Sequence, residues 1–328
     1  MSKIHDVAKR ANVSIATVSR VLNASDHKVS AKTAERVRQA VEELDYRPNA
    51  LARALQINRT MTVGVIIPDI SNHYYAEIVR GIQDEADKEG YNIILQNTDR
   101  SQKRIVRSIN LLREKVVDGI IFSGGIINGY EPLSVLNEFR ERVVVIGRHD
   151  VNLPAVMVDN ISGASQAVQH LIDQGHSRIG FIGWANSSTT AADRLSGYKS
   201  ALAQNRCRFD EGLVREGTLT PQSGFVEAKK LLSRDQVPTA IFAANDQMAF
   251  GVINAAVEFG LKVPDDLAVV GFDDIPLSSF FVPPLTTVGV PMFSLGTSSM
   301  RALINLISGK KFSRIKLHKT KLIVRKSS

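Results

Sequence analysis

Asp6 to Leu22, read DVAKRANVSIATVSRVL, is the stretch from which the rest of the chain is interpreted. Ala8, Val13, Val18 and Val21 are spaced so that two short helices, joined by the turn Asn12-Val13-Ser14, bury one shared apolar seam: a helix-turn-helix. Ser14 stands where an N-cap is wanted, so the second helix is expected to begin at Ile15. Its outer side offers Ile15, Ala16, Thr17, Ser19 and Arg20, a face that can enter a major groove. Ile15 and Ala16 suit thymine methyls, Arg20 can donate two hydrogen bonds to one guanine edge, and Ser14, Thr17 and Ser19 can reach phosphates. On these residues alone, a plain helical hairpin with a solvated polar face is the competing reading.

Downstream, Asn23 to Val29 is polar and loop-like, and Ser30 caps a third helix reaching roughly Leu44. Ala34, Val37, Val41 and Leu44 recur at three- and four-residue steps, so one stripe faces the first two helices. Residues 1–46 thus form a small three-helix domain. Tyr46-Arg47-Pro48-Asn49 ends it, because Pro48 lacks an N–H and disfavours the α-region for Arg47. Within 47–60, Ala50 to Leu55 favours helix but spans only about two turns, too short to hold alone in water. It is either a plain linker or a hinge helix that folds when two copies pack on DNA, with Leu55 as an apolar wedge in the minor groove.

From Thr62 the pattern alternates. Strand-like runs occur at Val63–Ile67, Asn92–Leu95, Gly119–Phe122 and Val143–Ile146, then at Ile179–Ile182, Ala240–Ala243 and Ala268–Gly271. Helical stretches lie between them, at Tyr74–Glu89, Gln102–Lys115, Ser162–Gln174, Ala191–Gln204, Gln222–Leu232 and Gln247–Phe259. Continuous apolar runs separated by helices indicate parallel sheets covered on both faces. Residues 61–328 therefore read as two doubly wound α/β subdomains. Such sheets bind ligands at the carboxyl ends of their strands. The polar residues there are Asp69, Ser71, Asn72, Tyr74 and Tyr75, then Ser123, Arg148 and His149, then Trp184, Asn186, Arg194, Asn245, Asp246, Asp273 and Asp274. Rings beside Arg, Asn and Asp suit a sugar, whose apolar face stacks while its hydroxyls need donors and acceptors. Taken singly, each could be a cap or a turn residue.

Charge supports the division. The net charge is +8, with 44% hydrophobic and 23% charged residues, as in ordinary globular proteins. Residues 1–60 carry eleven Lys/Arg against six Asp/Glu, and 310–328 carry eight Lys/Arg and no acid, so the middle is mildly acidic. A basic N-terminal module fits a polyanion, since each phosphate it neutralises releases counterions. No export segment or membrane-length apolar run is seen, which points to the cytoplasm, with association with the nucleoid when bound to DNA. Cys207 is a lone thiol without metal-ligand neighbours. No G-x-G-x-x-G, P-loop, G-x-S-x-G or H-E-x-x-H motif occurs, so no enzyme, cofactor or metal site is expected.

These residues closely resemble the lactose repressor (LacI/GalR) family, from Lys3 to Arg325. The likeness is carried by Asp6-Val7-Ala8, Thr17-Val18-Ser19-Arg20-Val21-Leu22-Asn23, Tyr46-Arg47-Pro48-Asn49 with Ala52 and Leu55, and Pro68-Asp69-Ile70-Ser71-Asn72. It continues through Arg194-Leu195-Ser196-Gly197-Tyr198, Ala244-Asn245-Asp246-Gln247-Met248-Ala249, Val270-Gly271-Phe272-Asp273-Asp274 and Pro283-Pro284-Leu285-Thr286-Thr287-Val288. The resemblance implies a homodimeric, allosteric transcription regulator with a periplasmic-binding-protein-like sensor, its chain crossing between subdomains near 160, near 289 and again near the C-terminus. It implies a pseudo-palindromic operator contacted by Ser14, Ile15, Ala16, Thr17, Ser19, Arg20, Asn23, Asn49, Ala52 and Leu55. Arg194, Asn245 and Asp273 match effector-holding positions; Tyr74, Tyr75, Ser123 and Arg148 fall at pocket positions that vary between members.

Departures narrow the reading. Asn12 replaces a common turn glycine but tolerates positive φ. Leu219 stands where the lactose repressor has tryptophan, so lactose-type galactosides are not implied, and no leucine heptads for a tetramer follow. The leading expectation is a repressor of carbohydrate-utilisation genes released by a small sugar. The alternative is activation by a corepressor, a purine or a phosphocarrier protein of the catabolite-control type, which Tyr74-Tyr75-Ala76-Glu77 and Met300-Arg301 echo. A sugar-binding or sugar-processing protein without a DNA role is the third reading, opposed by the basic helix-turn-helix.

Overall fold

The apolar runs and intervening helices after Thr62 resolve, in the computed structural model, into two six-stranded sheets. The structure describes residues 2–22, 29–46, 59–124, 136, 139–148, 153–183, 189–310 and 315–328. The chain divides into two units, Met1–Thr60 and Met61–Ser328.

In the first unit, α1 (Ile4–Arg10), α2 (Ile15–Leu22) and α3 (Ala31–Glu43) pack around Val7, Ala8, Ala11, Val18, Val37 and Ala40. Ser14 Oγ accepts the Thr17 N–H at 3.1 Å and Ser30 Oγ the Thr33 N–H at 3.3 Å, so both expected caps form. Asn12 takes φ 49° between α1 and α2, the left-handed turn that glycine would otherwise supply.

In the second unit, the first sheet is built from β1 (Thr62–Ile67), β2 (Asn92–Asn97), β3 (Gly119–Ser123), β4 (Val143–Ile146), β5 (Ala155–Val158) and β11 (Ile315–His318). The second contains β6 (Ile179–Gly183), β7 (Val214–Glu216), β8 (Ala240–Ala243), β9 (Ala268–Asp273), β10 (Thr286–Gly289) and β12 (Lys321–Ile323). Their orders are β2-β1-β3-β4-β5-β11 and β7-β6-β8-β9-β10-β12. All pairings are parallel except β10 with β12, where Val288 faces Leu322 in antiparallel register. The same winding order thus occurs twice, with a topological switch between β1 and β3 and another between β6 and β8.

The connecting helices are α4 (His73–Lys88), α5 (Gln102–Glu114), α6 (Asn160–Asp173), α7 (Thr189–Gln204), α8 (Pro221–Leu232), α9 (Asp246–Glu258) and α10 (Met292–Ile307). Strand pleating divides the first sheet's side chains. Val63, Val65 and Ile67 join the core that holds Ile78 and Ile82 of α4 and Leu295 and Leu303 of α10. Ile66, Ile120 and Phe122 face Ile105, Ile109 and Leu112 of α5. The chain leaves the first sheet after β5, returns to it with α10 and β11, and enters the second again at β12. Among the described residues, no helix is long and apolar enough to cross a membrane.

Candidate functional site

Each of the two units carries one candidate surface. In the first, α2 buries Val18 and leaves Ser14, Ile15, Ala16 and Arg20 exposed, while Thr17 and Ser19 are half-buried. Ser14 and Thr17 are joined hydroxyl to hydroxyl at 2.9 Å, so the cap also fixes the Thr17 rotamer. An apolar pair at the start of the helix and a guanidinium one turn and more beyond it is the composition that base-edge readout requires. Asn23, Asn49, Ala52 and Leu55 lie outside the described residues.

In the second unit, one cleft of about 790 Å³, counted with its solvent-open mouth, gathers all seven effector residues expected from the sequence. Tyr74, Tyr75, Ser123 and Arg148 come from the first lobe; Arg194, Asn245 and Asp273 from the second. The cleft sits at both topological switches, where diverging loops leave room for a ligand. Asp69 instead ties its own turn, accepting from the Ser71 N–H and hydroxyl at 2.9 and 2.7 Å. Asp274 is held by Arg325 at 2.7 Å, away from the cleft. His149, Trp184 and Asn186 are outside the described residues.

The polar wall is tightly wired. Arg194, on α7, donates from Nη2 to Asp273 at 3.1 Å, from Nε to Asn160 at 3.0 Å and from Nη1 to the Ala244 carbonyl, with its guanidinium 3.7 Å above the Phe272 ring. Asn245 caps α9 by accepting the Met248 N–H at 2.9 Å and donates to the Leu219 carbonyl at 3.1 Å. Arg148 crosses from the first lobe to chelate Asp193 through Nε and Nη2, at 3.1 and 2.8 Å, and Thr189 donates to its carbonyl. The Tyr74 and Tyr75 rings meet edge-on, 5.1 Å apart.

Burial dominates the electrostatics. It pushes both tyrosine phenols above their usual range, with Asp273 adding to the effect, so each hydroxyl stays neutral and able to donate. Burial also raises the Asp273 carboxyl to about 6 although Arg194 pulls it down. Behind the wall, burial and the nearby Asp273 raise Asp246 to about 7 against hydrogen bonds from Thr287, Ser278 and the Ile275 N–H.

The sequence reading missed Asn160, Arg100, Thr189 and Thr190. Asn160 opens α6 after β5, a strand too short to be read from an apolar run. Arg100 follows the edge strand β2 and is turned into the cleft by two successive left-handed residues, Asp99 and Arg100, which no residue pattern announces. The two threonines precede the point where α7 was expected to begin.

A helix-turn-helix unit and a two-lobed α/β unit with a cleft at its switch points are the parts of a transcription regulator that carries a ligand-binding type of domain. The comparisons agree. Residues 3–49 match the pattern described as bacterial regulatory proteins, lacI family, and residues 168–328 match the periplasmic binding protein-like domain. Catabolite control protein A of Priestia megaterium is 43% identical over 92% of this chain and 91% of its own. The lac repressor dimer bound to operator and the anti-inducer ONPF superposes with a TM-score of 0.90 at 32% identity, covering 99% of this chain and 98% of that one. The transcriptional regulator CelR-cellobiose complex matches with a TM-score of 0.76 at 32% identity over 100% of both chains. The chain belongs to the lacI family of bacterial regulatory proteins and is a DNA-binding transcription regulator, not an enzyme.

Proposed function

We propose that this protein is a homodimeric cytoplasmic repressor of carbohydrate-utilisation genes, released from a pseudo-palindromic operator by a small sugar or sugar derivative. The observation that carries the reading is the cleft: rings from one lobe and a wired Arg-Asn-Asp wall from the other, joined at two switch points. A ligand touching both lobes favours one lobe arrangement over another, and only that difference in affinity can move an equilibrium. A shift from 1:99 to 99:1 needs about 5.5 kcal/mol of it. The CelR-cellobiose complex supports a carbohydrate, and the operator-bound lac repressor dimer supports the dimeric mode. In this reading α2 presents Ser14 to Arg20 to the major groove and Asn23, Asn49 and Ala52 add contacts, while Leu55 opens a central base step.

The test is fluorescence-anisotropy binding of the purified chain to a pseudo-palindromic operator with a central CG step, at fixed salt, with and without sugars. Release by one sugar supports the reading; unaltered operator affinity in Leu55→Ala removes the wedge. The 43% identity to catabolite control protein A favours one second reading, a corepressor-dependent regulator that takes a phosphocarrier protein. Operator binding unmoved by every sugar but tightened by such a protein would establish it.

A further inference from the structure

We propose, building on the sugar reading above, that the effector is anionic, a sugar phosphate or sugar acid whose charged group is held by Arg100 with Tyr75 and Ser123 on the first lobe. Three guanidiniums line the cleft, from Arg100, Arg148 and Arg194, whereas among the described lining residues Asp273 is the one carboxylate, with Asp193 standing behind Arg148. That wall is net positive. Arg148 and Arg194 direct N–H groups at those two carboxylates of the second lobe.

Arg100 is engaged differently. It hydrogen-bonds the hydroxyl of Tyr75, a neutral phenol. The same hydroxyl abuts Gly124: a Cβ there would lie 2.7 Å from it and 2.4 Å from Pro68 Cγ, at φ +70°. Ser123, next in the chain, is 2% exposed. A guanidinium, a phenol and a serine hydroxyl thus converge at the ends of β1, β2 and β3. The backbone is bent to put Arg100 there, since Asp99 and Arg100 take φ 48° and 59° in succession, a conformation that non-glycine residues adopt at a cost. A guanidinium beside hydroxyl donors matches a phosphate or carboxylate better than an alcohol, because charge-assisted bonds are about twice as strong as neutral ones.

Calorimetric titration of the purified full chain with glucose, fructose and galactose, each paired with its 6-phosphate, and with gluconate and inorganic phosphate, tests this. The expected result is at least about tenfold tighter binding of a charged member than of its neutral parent. That preference should fall towards parity in Arg100→Gln, persist in part in Arg100→Lys and shrink with added salt. If Arg100→Gln does not fold, Arg100→Lys and the salt series decide. A neutral sugar that binds as tightly as its charged partner, or a preference intact in folded Arg100→Gln, overturns the proposal and leaves the sugar reading standing. Inorganic phosphate binding as tightly as every sugar phosphate overturns the sugar-linked part. Binding by no compound of the set overturns both readings.

Discussion

Asp273 Oδ1 accepts from Arg194 Nη2 at 3.1 Å with both side chains buried, although one closes β9 and the other belongs to α7. The pair clamps strand to helix inside the second lobe. Removing the cation leaves a buried carboxylate without a partner, the costly way to break an ion pair. Arg194→Met should therefore lower stability by about 3–5 kcal/mol near pH 8. Urea unfolding near pH 5 should show a smaller loss, because Asp273, raised to about 6, then takes up a proton. The folded variant should keep operator binding and lose its response to effector; a retained response would show that the cleft is misassigned.

Asp246 gives a pH signature of opposite use. Its folded-state carboxyl is raised from 3.8 to about 7 by burial and by Asp273. A raised carboxyl contributes stability that is full below the unfolded pKa and is lost as pH rises through the folded one. Asp246→Asn keeps the shape: an amide oxygen can accept from Ser278 Oγ and the Ile275 N–H, now at 2.7 and 2.9 Å, while its NH₂ donates to Thr287. Between about pH 5 and pH 8 the variant should gain on the parent by an amount on the order of 2 kcal/mol. His170, His176 and His318 are lowered by burial and push stability the other way, upward with pH, so the difference between the two proteins is the quantity to measure. A difference that does not change with pH would place Asp246 outside the titrating set.

The sequence made the buried strands legible because parallel strands covered on both faces leave continuous apolar runs, as in Val63–Ile67 and Ala240–Ala243. It hid β7, β11 and β12, edge strands whose exposed residues Glu216, Lys316 and Lys321 interrupt any such run. β10 was equally opaque, since Thr286 and Thr287 are buried by hydrogen bonds to Ser327 and Asp246 rather than by apolar character. Helix α10 went unread because Gly296, Thr297, Ser298 and Ser299 are weak helix formers; its packing on α4 holds it. The cleft was legible because two switch points gather residues after β1, β3, β6, β8 and β9. Arg100, after the edge strand β2, reaches it only through two left-handed residues, which no periodicity announces.

That α4–α10 contact is itself testable. A Cβ on Gly81 would stand 2.2 Å from the Phe293 carbonyl oxygen, and one on Gly296 2.1 Å from the Ile78 carbonyl oxygen. The two helices cross with their backbones touching, and neither carbonyl can step aside without moving its helix. Gly296→Ala should cost about 1–3 kcal/mol despite alanine's better helix propensity. Urea unfolding checks this; an unchanged or higher midpoint would show that the helices separate readily.

Arg20 offers the sharpest test of the DNA-reading face. It is exposed in the last turn of α2, on the side opposite the buried Val18. A guanidinium there can meet a guanine edge with two parallel hydrogen bonds or rest on a phosphate, and the two contacts predict different data. Arg20→Ala should weaken binding to the preferred operator by about 1–3 kcal/mol while relaxing discrimination at one base pair in each half-site, if the contact is to guanine. If it is to phosphate, binding should weaken equally on all sequences and the salt dependence should flatten by about one charge. Anisotropy titrations against operators varied at each half-site position, repeated across a salt series, separate the two. An Arg20→Ala protein with full affinity and full discrimination would show that α2 does not read the groove through this residue.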